Sequence, residues 1–311
     1  MKILVLGAGG IGGYYGGRLA QAGCDVTFLV RARRREQVAA EGLRLESPLG
    51  NAALTVKTVL AEALRPGYDL VLFTCKAYDL DSAMDAIAPA MRDGATLLPL
   101  LNGLAHFGKL DARFGRANVL GGTAHINATL RGDGVVVHGD KLQRIIYGER
   151  DGGSSPRAEA IAAELARSAI DARLSEDIEQ DLWEKLVFLS ALAATTCLFR
   201  ANVAEINAAP GGREAMERAY NANAEIARRE GREPRAAARK AGLERLTDPD
   251  GLWSASMLRD LESGGRVEAD HIVGWMLDRA RAHGVDDTIL SLAYTHLKAY
   301  EARRDVKRLP G

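Results

Sequence analysis

Three cysteines in 311 residues, Cys24, Cys75 and Cys197, are too few for a disulfide framework and lack metal-ligand spacing. Each lies in an apolar segment, which reads as a buried thiol in a reducing compartment. Excess charge of either sign is also missing, since 41 lysines and arginines balance 41 aspartates and glutamates. A neutral chain gives no reason to expect nucleic acid or an anionic membrane as partner, and small molecules lead. Long apolar runs are absent as well. The uncharged stretch between Lys185 and Arg200 falls short of the ~20 residues that a bilayer core demands and reads as a buried helix. The opening MKILVLGAGG carries one positive charge and a short apolar run, far from a secretory signal, so the expected location is the cytoplasm. There is no internal repeat and no low-complexity tract.

What is present reads as an α/β protein of two domains. A chain of this length exceeds the size at which one core usually stops growing. Up to about Ala169, KILVLG, DVTFLV, LTVKTV, DLVLFTCK, ATLLPLL, NVLGGTAHI and the pair GVVVHG and RIIYG read as strands alternating with helical patterns. Several lack polar alternation, as strands covered on both faces do, which predicts a Rossmann-type, doubly wound parallel sheet. Ser155 and Pro156 read as the cap and first turn of that domain's last helix. Beyond the short IDARL the strand signals stop, and Ser175 to Arg304 is helical with breaks at APGG, TDPDG, ESGG and AHGV. The expected boundaries are 1–172 for a dinucleotide-binding domain and 173–311 for an all-helical substrate domain.

The first strand runs straight into LGAGGIGGYYGG, which gives Gly7, Gly9 and Gly12 the G-x-G-x-x-G spacing, with Ala8, Gly10 and Ile11 between them. The first glycine lets the chain turn, the second lets a pyrophosphate approach, and the third lets helix and strand pack closely. The helix N-terminus adds free N–H groups and partial positive charge. At the end of the second strand an NAD site would place an acid, whereas this chain has FLVRARRRE. Guanidinium forks suit a 2′-phosphate, so NADP(H) is the expected cofactor, with Arg31 the candidate among Arg31, Arg33, Arg34 and Arg35. Lys76 and Asn102 end later strands on the edge where such sheets bind ligands.

On the apolar helix Lys185 shares a stripe with Leu189, Leu192 and Thr196. Alone, such a lysine most simply snorkels to water. Facing an interdomain cleft instead, its ammonium would have a lowered pKa and serve as a proton donor.

The set KILVLGAGGIGG with Arg31, CKAYD with Lys76, NG at Asn102, LWEKL with Lys185, SASMLRD with Ser256, VEAD with Glu268 and RARAHGV resembles the ketopantoate reductase (2-dehydropantoate 2-reductase) family in order and spacing. The resemblance implies NADPH-dependent reduction of a 2-keto acid, with Lys185 as general acid and Glu268 as second catalytic residue. It further implies that Asn102 and Ser256 hold substrate, and that Lys76, with Asn102, lies at the cofactor end. Pantothenate biosynthesis follows from the same likeness. The family usually carries asparagines one and two turns after its lysine, where this chain has Leu189 and Ala193, and a third near Val203, where Asn202 is one position off. Ser190, Thr195 or Thr196 are candidates to replace that polarity. Rival readings are a reductase of the same fold for a less polar keto acid, and a non-catalytic NADPH sensor. Exposed faces of the helical domain could pair two copies as a homodimer.

Overall fold

The structure is a computed structural model that describes residues 1–306; residues 307–311, the end of the expected helical domain, lie outside the described residues. The chain forms two compact units, residues 1–102 with 106–179, and residues 103–105 with 180 onward.

In chain order the first unit contains β1 (Lys2–Leu6), α1 (Gly10–Gln21), β2 (Asp25–Leu29), α2 (Ala32–Glu41), β3 (Leu43–Glu46), β4 (Ala52–Leu54), β5 (Lys57–Val59) and β6 (Leu70–Phe73). It continues through α3 (Leu80–Ile87), β7 (Thr96–Pro99), α4 (His106–Phe114), β8 (Gly121–Leu130), β9 (Val136–Gly148), α5 (Pro156–Leu165) and β10 (Asp171–Leu174). Five strands make the expected parallel sheet, in the order β5-β2-β1-β6-β7. The apolar residues of β1, β2, β6 and β7 are buried on both faces, which is why those strands lack alternation. The loops that follow them therefore all leave from one edge.

A second, mixed sheet was not foreseen. It runs β10-β9-β3-β4, with β8 paired antiparallel to β9. The segment LTVKTV, read as one strand, divides: Leu54 pairs with Leu43 of β3, while Lys57–Val59 pairs with β2 in the other sheet. β propensity alone carries no mark of which sheet a strand joins. GVVVHG and RIIYG, read as a pair, are the two ends of one thirteen-residue strand, β9. Its polar middle resembles a turn, yet stays extended against β8 across an irregularity between Ile126 and Ala128. Cys24 and Cys197 are buried as expected, and burial pushes their thiols up to about 11 and about 12. Cys75 is only partly buried.

The second unit is helical: α6 (Ile178–Phe199), α7 (Val203–Ala208), α8 (Gly212–Arg229), α9 (Ala236–Leu246), α10 (Ser256–Glu262), α11 (Trp275–His283) and α12 (Thr288–Asp305). A π turn over Asp270–Gly274 leads into α11. Helix α8 packs against α7, α9, α11 and α12. By length and composition α6 could cross a bilayer, with 22 residues and a mean hydropathy of 1.5, but 67% of its apolar window is buried in the protein. That burial fits a core helix.

Candidate active site

Each glycine of the first loop meets a different steric demand. Gly7 has φ +85°, a conformation other residues enter at a penalty, and its amide bonds the carbonyl of Leu29 at 2.8 Å. At Gly9 a Cβ would meet nothing within 4 Å, so the loop opens onto space. At Gly12 a Cβ would collide with the Thr74 hydroxyl and the Gly7 carbonyl, so α1 lies tight on β1 and β6. Gly10 is needed for a reason sequence did not reveal: its Cβ would lie 2.6 Å from the carbonyl oxygen of Ala128 on β8. Ala8 is buried and Ile11 half-buried in the same turn. Gly9 is the N-cap of α1 and makes no side-chain cap, and no acid stands in the first turn. This cradle fits a dinucleotide pyrophosphate, with room at Gly9 and helix amides behind it.

Arg31, N-cap of α2, is 83% exposed and lies 3.4 Å from a carboxylate oxygen of Asp79. Arg33 and Arg35 are exposed, and Arg34 turns inward. Its Nε donates to the carbonyl of Ala8 at 3.1 Å and its Nη1 to that of Gly134 at 2.9 Å. Burial, then the neighbouring Arg44, pulls its pKa below the ordinary arginine value. Lys76 and Asn102 are partly buried on the same edge, after β6 and β7. Gly7, Arg31, Lys76 and Asn102 thus share the carboxyl edge of one parallel sheet.

In the helical unit Lys185 keeps partial exposure as a residue, but protein surrounds its charged end. Burial draws its pKa from 10.5 down to about 8, against the opposing pull of the Glu268 carboxylate. Glu268 is 5% exposed and directly precedes the turn that becomes the π segment. The structure therefore couples these two residues although 82 positions separate them, 268 minus 185 less one. Beside the lysine, Arg235 bonds Asp181 and Glu184, fixing the start of α9 to α6. Farther along, the Thr196 hydroxyl donates to the Leu192 carbonyl at 2.7 Å and accepts from the Ala255 amide at 3.5 Å. Ser256 follows as the first residue of α10 and is half-buried.

Little polarity remains to replace the asparagines. Leu189 is half-buried and Ala193 fully buried. Thr195 bonds the carbonyl of Ala191 at 2.8 Å, and the Ser190 hydroxyl is buried with no hydrogen-bond partner among the described residues. Asn202 accepts from the Glu205 amide while Glu205 accepts from the Asn202 amide, each at 2.9 Å, so its side chain is a helix cap.

Two family models match the chain: ketopantoate reductase PanE/ApbA over residues 3–152, and its C-terminal domain over residues 177–301. The uncharacterized oxidoreductase YkpB of Bacillus subtilis is 33% identical over 98% of this chain and 100% of its own length. The solved 2-dehydropantoate 2-reductase of Geobacter metallireducens superposes with TM-score 0.87 at 29% identity, covering 96% of this chain and 99% of that one. A D-mandelate dehydrogenase solved with NADH and anilino(oxo)acetate reaches TM-score 0.87 over 98% of this chain and 100% of its own. At 23% identity that is a likeness of fold.

Proposed function

This chain belongs to the ketopantoate reductase family of oxidoreductases, and from that premise we propose that it reduces a 2-keto acid with NADPH, ketopantoate to pantoate first among the candidates. Residues 1–172 are the proposed cofactor domain and 173–311 the substrate domain. The observation that supports the reading is the glycine-rich cradle on the carboxyl edge of the parallel sheet, together with Lys185, an amine whose pKa burial lowers against the opposing pull of the buried Glu268.

When bound, the dinucleotide supplies hydride to the keto carbon. The carbonyl oxygen then gains negative charge, and the Lys185 ammonium both stabilises it and delivers a proton, so C=O becomes CH–OH. Solvent restores the proton to Nζ. Glu268 holds the ammonium in place or accepts a substrate hydroxyl, and Ser256 and Asn102 bind the rest of the substrate. Gly7 to Gly12 hold the pyrophosphate, Lys76 and Asn102 bind at the cofactor end, and Arg31 holds the 2′-phosphate. The enzyme is proposed to act in the cytoplasm on a free small molecule, in pantothenate biosynthesis, and to pair as a homodimer.

One observation favours a second substrate. With Leu189 and Ala193 on the lysine's helix and Asn202 spent as a cap, a less polar 2-keto acid would find better company there than a hydroxylated one. The test is oxidation of NADPH and, in parallel, NADH by purified protein over a panel containing ketopantoate and branched and aromatic 2-keto acids. Efficient turnover of ketopantoate with NADPH supports the first reading. Turnover only of an apolar keto acid supports the second. Nucleotide binding without any turnover would contradict both and leave a sensor.

A further inference from the structure

We propose that Arg34 is a positioning residue for the cofactor: by holding the Ala8 carbonyl it sets the direction of the Gly9 amide that faces the pyrophosphate. The inference rests on the reading of the glycine-rich loop as a nicotinamide dinucleotide site. Ala8 carbonyl and Gly9 N–H belong to one peptide unit. All peptide bonds among the described residues are trans, and in a planar trans peptide the C=O and N–H point in opposite directions. Capturing the oxygen on one side therefore aims the N–H to the other. At Gly9 a Cβ would meet nothing within 4 Å, so a phosphate has room beside this residue.

The loop needs such a constraint. Ala8 lies between Gly7, already at φ +85°, and Gly9, and glycine opposes rotation of the peptide only weakly. Arg34 is itself held at its far end. Nη1 donates to the Gly134 carbonyl and to Gln37 Oε1 at 2.8 Å, while Gln37 Nε2 donates to the Asp133 carbonyl at 2.9 Å. Arg44 Nη2 bonds that same Asp133 carbonyl at 2.6 Å. The β8–β9 turn, part of the second sheet, is thereby coupled through one guanidinium to the loop of the first. Two carbonyls on separate segments are bridged by a fork, which a lysine cannot reproduce. Arg34 Nη2 remains buried without a hydrogen-bond partner. That leaves one rival role to separate, direct contact with the 2′-phosphate.

The experiment is fluorescence titration of NADPH and of NADH into the parent, Arg34→Met, Arg34→Lys and Arg31→Ala proteins, with steady-state rates beside it. Both Arg34 variants are expected to weaken the two nucleotides by the same factor, about tenfold, the scale of one charge-assisted hydrogen bond. Their kcat at saturating NADPH and their keto-acid KM should stay within about twofold of the parent, a split that a general loss of structure would not give. Arg34→Lys keeps the charge and the stem, so it carries the test if Arg34→Met does not fold. Parent-like binding by either folded variant, or a loss confined to NADPH, would overturn the proposal. A parent protein that binds neither nucleotide would overturn the functional reading itself, with parent-level turnover by the variants not then at issue.

Discussion

At Lys185, burial and proton donation pull in opposite directions. Its folded pKa of about 8 lies below the 10.5 of an exposed lysine, so below pH 8 the fold carries a charge that the unfolded chain would leave in water. The residue subtracts stability there, and the penalty fades as pH climbs from about 8 toward 10.5, where the folded amine is already neutral. Between pH 7 and pH 10.5 the parent should therefore gain on the order of 3 kcal/mol of stability that Lys185→Met does not gain, whatever the variant's absolute stability, as read in denaturant melts at both pH values. The same titration governs rate. Keto-acid reduction needs the ammonium and should decline as pH rises through about 8, while oxidation of the hydroxy acid needs the neutral amine and should rise over that window. A pH–kcat profile flat across it would remove Lys185 from the proton transfer. Arg31 invites a separate test, since it stands exposed on the carboxyl edge with Asp79 as its ion-pair partner. Arg31→Ala should raise the KM for NADPH about 10- to 100-fold and leave that for NADH nearly unchanged. Periodicity alone placed Lys185 on an apolar stripe, and only the family resemblance raised it and Glu268 to catalytic candidates. The inward turn of Arg34 was not legible, because FLVRARRRE looks the same whether a guanidinium meets water or the Ala8 carbonyl.

Among the elements, α6 carries the substrate question. Its charge-poor stretch reads in sequence as a core helix, and most of its apolar window is buried. Periodicity also placed Thr196 on the lysine's side, but could not show that its hydroxyl is occupied by Leu192 and Ala255. Leu189 is half-buried, so an asparagine of similar volume can be accommodated, whereas fully buried Ala193 has no space for one. Leu189→Asn should improve kcat/KM for ketopantoate relative to an aliphatic keto acid by about tenfold, the value of one hydrogen bond to a buried group. An unchanged ratio would mean that Leu189 does not touch substrate. The glycine loop was the most legible element, because strand, turn and helix follow without a gap. Even so, Gly10 owes its place to Ala128, a residue 118 positions away, 128 minus 10.

For the whole molecule, the α/β half followed by a helical half was written in the change of period along the chain. The second sheet was not. Its register depends on β9 meeting β3 and β10, and Leu45 pairs with Val136 across a separation that local propensity does not encode. Propensity found the extended segments, while tertiary pairing sorted them between two sheets. The most direct test is single-turnover reduction of the best 2-keto acid by NADPH-loaded parent and Lys185→Met proteins, with nucleotide affinity measured in both. The account predicts equal NADPH affinity and a rate at least about 100-fold lower in the variant, as loss of a general acid entails. Equal affinity with a rate near the parent's would contradict it.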